Sequence, residues 1–337
     1  MMPTRHYLRR LPRTLMFWLF ILVVVLFGLR LVFPRQGFDK LDTGEGPLDV
    51  AAAADGVWVL NHEEHSVTLV DPDDVGVMFT ASVGDQVAPT ITADDNGAWV
   101  LLDDGTTLAL LDPVSEEITE RYDVEEAVDG PAQDIAAGGG WVWVTSGASG
   151  LMAQVDADSG EVAQTVDVGQ SVVQPQVVGD SLWVVRSDGL GEYDLDSGEE
   201  LAVIESDRAV RGYAVGEDAL WMLTDIDGEE EQGTVVTVDL GSGEQTTATV
   251  VGGTRPSGIV LVDGDQLVVT GSGGIMVHVS TDPLLPVAAE QVSLENALLR
   301  GPVYWDGRVW AADGIDGVVY QTLDDIEGDA TIGTTIP

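Results

Sequence analysis

Two groups of side chains have the types and spacing to do chemistry. His62-Glu63-Glu64-His65 sets two imidazoles and two carboxylates within one short run. Such a set could ligate zinc or another divalent cation. It is not the His-Glu-x-x-His order that puts both imidazoles on one helical face, and it follows a strand-like segment, so it reads as a loop. A solvated polar loop is the plain alternative. The second group is Arg186, Arg208, Arg211, Arg255 and Arg300. Guanidinium forks hold carboxylates and other anions through paired N–H donors. Ion pairs with the chain's own acids compete for that role. A further run, Asp225-Ile-Asp227-Gly228-Glu-Glu-Glu231, offers the oxygen ligands calcium prefers but is shorter than an EF-hand loop. His278 alternates with Met276 in a strand-like segment and reads as structural. No nucleophile elbow or dinucleotide fingerprint occurs, and Gly138-Gly-Gly140 precedes a strand-like segment where a phosphate loop would need a helix. The sequence therefore offers no catalytic set, and no cofactor beyond a divalent cation.

What must position these groups is an internal repeat. A glycine followed shortly by Trp-Val or its equivalent recurs at Trp58, Trp99, Trp143, Trp183, Trp221, Val268 and Trp310. The spacings are 41, 44, 40, 38, 47 and 42 residues, and six of the nine tryptophans fall in this column. A polar loop follows each copy, then an apolar segment ending in Asp, as in Val67-Thr-Leu-Val-Asp71 and Leu108-Ala-Leu-Leu-Asp112. Next come turns such as Asp158-Ser-Gly-Glu161, in which Asp and Ser cap the turn and Gly supplies positive φ. Four short strands per unit at this period predict an all-β, seven-bladed β-propeller over residues 48–337. The tryptophans are expected on the second strand of each blade, filling the wedge to the next. Residues 34–47 read as a spacer, and Phe38-Asp-Lys-Leu-Asp-Thr-Gly44 resembles a fourth strand that could close the last blade. Asp329-Ala-Thr-Ile-Gly333 competes for that position.

The propeller reading gives the arginines a common address. Arg211, Arg255 and Arg300 stand just before the innermost strand of units five, six and seven. Loops joining second to third strands and fourth to first strands share one propeller face. All five arginines are therefore expected on that face, with three at the channel mouth, where they could bind an anionic ligand.

Gly-x-x-Trp-Val, a strand ending Val-Asp, Ser-Gly-Glu and Thr-Val-x-Val-Gly together resemble YVTN-type and quinoprotein-like propeller repeats, and more loosely those of streptogramin lyase. The resemblance implies the fold over about residues 48–325 and says little of function. The extra Trp that quinoprotein blades usually carry after the Thr-Gly turn is missing here. Streptogramin lyase implies a second reading, a metal-assisted lyase or hydrolase using His62, His65 and the arginines at the channel mouth.

Charge and hydropathy supply the setting. The chain carries 58 acidic and 14 basic residues, and seven of the basic ones precede residue 48. The body beyond them repels nucleic acid, which excludes that class of partner. Cysteine is absent, so disulfides and thiolate chemistry are excluded. Leu15 to Phe33 is a run of 19 residues with Arg30 its only charge, preceded by Arg5, Arg9, Arg10 and Arg13. As a helix it would span roughly 28 Å, enough to cross a bilayer. The expectation is a basic cytoplasmic tail over 1–14, a signal anchor over 15–33 and an extracytoplasmic propeller. This predicts a single-pass cell-membrane protein whose monomeric propeller acts as a non-catalytic scaffold for a protein or carbohydrate partner of the envelope.

Overall fold

The computed structural model describes residues 38–226, 229–251, 255–291, 298–315 and 317–322. The basic tail, the apolar 15–33 segment and the competing 329–333 strand lie outside the described residues. Among the described residues, no helix is long and apolar enough to cross a membrane.

The repeat folds as seven four-stranded antiparallel sheets, the blades of a β-propeller. Blade one runs from its inner strand outward as Pro47–Ala53, Gly56–Asn61, Ser66–Asp71 and Gly76–Ser82. Blades two to six repeat that order with consecutive strands. Blade seven has three consecutive strands, Arg300–Trp305, Arg308–Ala312 and Val318–Thr322. Its outer strand is Phe38–Leu41 from the start of the described chain, paired Phe38 to Gln321 and Leu41 to Val318. Among the described residues Phe38–Leu41 is the first strand, and it takes the closing position foreseen for it within the spacer. Lys40, the sole lysine, reaches Asp313 at 2.5 Å across this seam, and the Asp313 side chain is fully buried.

Wedge packing follows the tryptophan column. Trp58, Trp99, Trp143 and Trp310 are fully buried, and Trp183 and Trp221 nearly so. Each packs on the next blade. Trp58 clusters with Ala98, Val100 and Ala109 of blade two, Trp221 with Ile259, Leu267 and Val269 of blade six, and Trp310 with Val50, Val57 and Val59 of blade one. One seam differs. Between blades six and seven the column holds Val268, packed with Met276, Leu299, Val309, Ala311 and Val319. His278 pairs with Val268 in register, and Gln321 with Val309, so both polar side chains enter this wedge and both are buried. Burial lowers the His278 pKa to about 4, against a smaller upward pull from the Gln321 amide.

In the Ser-Gly-Glu turns Ser and Gly act as expected, but the capping acid is the strand-ending Asp two residues before the expected Asp158. Asp156, Asp194 and Asp239 each accept hydrogen bonds from the backbone N–H and hydroxyl of the serine three residues on, at 2.7–2.8 Å. Those bonds hold the three carboxyls below their ordinary pKa.

Candidate functional site

The inner strands frame the central channel, and their irregularities shape its mouth. Pairing slips at the start of the inner strands of blades one, four, five, six and seven. A bulge re-aims the residue it adds. Here the extra residues include Leu48, Arg211, Ser257 and Gly301, all of which line a cavity of about 1000 Å³. Arg255 and Arg300 line it too. A narrower cavity of about 360 Å³ runs along the inner strands and shares Asp49, Asp134 and Gln174 with the mouth, but none of the arginines.

The channel wall is tied from blade to blade. The Asp49 carboxylate accepts the Ile91 N–H at 3.1 Å, the Thr92 hydroxyl accepts the Ala137 N–H at 3.1 Å, and Asp134 accepts the Gln174 N–H at 2.9 Å. The Tyr213 hydroxyl donates to the Gln174 carbonyl at 2.8 Å. The Ser257 hydroxyl donates to the Leu299 carbonyl.

Three of the five foreseen arginines meet at the mouth, and two do not. Arg211 is bound by Asp225 through Nε and Nη2 at 2.6–2.9 Å, and Asp225 lines the same cavity. Asp225 belongs to the blade-five strand Ala219–Ile226; Asp227 and Gly228 lie outside the described residues. Arg300 has no ion-pair partner among the described residues and is exposed. Arg186 is absent from the cavity. Its side chain is 9% exposed and bonds Asp188 at 3.0 and 3.1 Å, Tyr193 at 3.2 Å and Glu200 at 2.5 Å. The acids of its own blade draw it back across the sheet. Arg208 is also outside the cavity, its guanidinium donating to the Thr234 hydroxyl at 3.5 Å.

The His62–His65 loop sits at the ring's closure, away from both cavities. Among the described residues, no group of three or more His, Asp or Glu side chains could hold a metal ion. The two rings stack, 6.3 Å between centroids, while Glu63 and Glu64 lie against the link from the closing strand to blade one. A Cβ on Gly46 would sit 2.3 Å from Glu63 Cγ, and one on Gly44 2.6 Å from Glu64 Oε2. Beside them Asn61 Nδ2 and the Thr68 hydroxyl both donate to the Thr43 carbonyl at 2.7 Å. The loop braces the ring's closure. Neither histidine lines either cavity.

Asp49 and Asp134 went unnoticed in the sequence. Burial raises both carboxyls, Asp49 to about 7, against the hydrogen bonds from backbone N–H groups. The signal was present: nine positions before the repeat tryptophan stand Asp49, Thr90, Asp134 and Gln174 in blades one to four. In blades five and seven that position is Gly212 and Gly301, each preceded by an arginine.

Asp49 and His278 drive stability in opposite directions. The folded pKa of Asp49 lies above the unfolded value, so the native state binds its proton first and gains stability as pH falls from 7 towards 4. The folded pKa of His278 lies below the unfolded value, so stability is lost as pH falls from 6.5 towards 4. Urea denaturation across this window should show His278→Leu gaining roughly 2–3 kcal/mol on the wild type as pH falls. Asp49→Asn should lead the wild type above pH 7 and lose a similar advantage by pH 4. Differences that stay constant with pH would refute both assignments.

No protein-family model matches the chain, and no curated protein matches it.

Proposed function

We propose that this chain is a non-catalytic binding propeller whose recognition site is the arginine-bearing mouth of its channel. The observation that carries this is the cavity of about 1000 Å³ into which three blades bring Arg211, Arg255 and Arg300. That volume is at the upper end of the range for small-ligand sites, about 300–1000 Å³. Guanidiniums at its rim suit a carboxylate group on a protein, carbohydrate or smaller partner. The likeness of the repeat to YVTN-type and quinoprotein-like blades fits such a role. In the same reading, the apolar segment 15–33 anchors the chain in the cell membrane, with the basic tail in the cytoplasm and the propeller outside.

The test is carboxylate binding by the full chain at low ionic strength, with citrate as probe and calorimetry as readout. Changing Arg211, Arg255 and Arg300 together to Gln should weaken binding at least tenfold without moving the melting temperature by more than a few degrees. Equal affinity in the triple variant, or no binding to the wild type, would overturn the proposal.

A further inference from the structure

The mouth is charged on two sides, and that narrows the ligand. Arginines come from blades five, six and seven; recessed carboxylates come from blade one, Asp49, and blade three, Asp134. The carboxylates also line the deeper cavity, which the arginines do not reach. The channel therefore runs from cationic at its rim to anionic at its neck. Since Asp225 already engages Arg211, Arg300 is the clearest cation for a ligand to meet. It stands next to Gly301, whose missing side chain leaves room for Asp49: a Cβ there would sit 2.2 Å from Asp49 Oδ1. Opposite charges thus lie close together on adjoining blades.

We propose that the mouth takes a zwitterion of the amino-acid or short-peptide class, its carboxylate on Arg300 and the rim and its ammonium on Asp49 and Asp134. The inference rests on the channel-mouth reading above and specifies its ligand. Long-range electrostatics favour it. A chain of net charge −44 weakens the long-range approach of a pure anion to the rim and scatters a pure cation over its whole surface. A net-neutral ligand suffers neither effect and still satisfies both arcs. Chemistry at the neck agrees. Asp49 and Asp134 accept backbone N–H bonds from their neighbours, Asp134 also bonds the Thr90 side chain, burial disfavours their charged forms, and Asp134 raises the cost of ionising Asp49. Arg300 offsets burial at Asp49 only in part, so an incoming ammonium would add counter-charge and drive Asp49 to release its proton.

Calorimetry on the full chain tests this with ω-amino acids from glycine to 6-aminohexanoate, trialanine, N-acetyl-trialanine and trialanine amide. At least one zwitterion should bind, and for trialanine each blocked form should bind at least tenfold more weakly. Near pH 6.5 the heat of binding should change with the ionisation enthalpy of the buffer, reporting proton release. Arg300→Gln and Asp49→Asn should each weaken zwitterion binding at least tenfold while the folded state, followed by its melting curve, persists. If N-acetyl-trialanine or citrate binds as tightly as the best zwitterion, the inference fails while the anion-site reading stands. If no zwitterion binds but citrate does, the outcome is the same. If neither binds, both fall.

Discussion

Trp99→Ala should lower the unfolding free energy by about 3–5 kcal/mol, the range for emptying a large aromatic site in a packed core. The indole is fully buried between blades two and three. It packs among Leu101, Leu108, Val142, Val144 and Ala153, with the Tyr122 ring 6.3 Å away. Strands on either side are hydrogen-bonded into their own sheets, so the walls cannot close fully over the void. The same column offers an internal control: Val268→Ala removes far less volume and should cost about 1–2 kcal/mol. Urea midpoints at constant slope measure both. Comparable losses at the two positions would mean that the indoles do not fill the wedges.

Lys40→Ala should cost about 3 kcal/mol, although lysine on a surface normally contributes little. The difference lies with Asp313, whose side chain is fully buried and would lose the ammonium now 2.5 Å away. Removing one member of such a pair is far more damaging than removing both. Lys40→Met with Asp313→Asn should therefore recover at least half of the loss, since Asn can still accept the Ile315 N–H that Asp313 receives at 2.8 Å. Additive losses in the double variant would show that the two side chains do not act as a unit. Deleting Phe38–Leu41 should be more severe again, leaving the Val318–Thr322 strand with an unpaired edge.

The architecture was legible because its signal is periodic and physically costly to fake. A tryptophan at near-constant spacing is retained where a wedge needs filling, and all six chosen rings proved buried at blade seams. The closing strand was legible as a candidate because Phe38–Leu41 has strand character ahead of the first repeat. The site was only partly legible. Register gave the neighbourhood of Arg211, Arg255 and Arg300, although only Arg255 precedes its inner strand: Arg211 lies within Val210–Val215 and Arg300 opens Arg300–Trp305. It could not separate them from Arg186, whose partners Tyr193 and Glu200 lie seven and 14 residues away and come close only through strand pairing. His62-Glu63-Glu64-His65 looked like ligands by composition. What governs that loop is its packing on Gly44 and Gly46, which follow the closing strand and precede the first repeat. Asp49 and Asp134 were hidden by abundance, two acids among 58, until the channel gave their shared column a meaning.

Sealing the last sheet with the first strand also sets a schedule for biosynthesis. Phe38–Leu41 leaves the ribosome about 280 residues before its partner Val318–Thr322 exists. At translation speeds of ~5–20 residues per second, that is a wait of roughly 15–55 s. Throughout it, the nascent chain carries an unclaimed hydrogen-bonding edge at one end and a growing, unsealed arc of sheets at the other. A product ending before residue 318 would lack the partner of Phe38–Leu41 and keep an unpaired edge open to other strands.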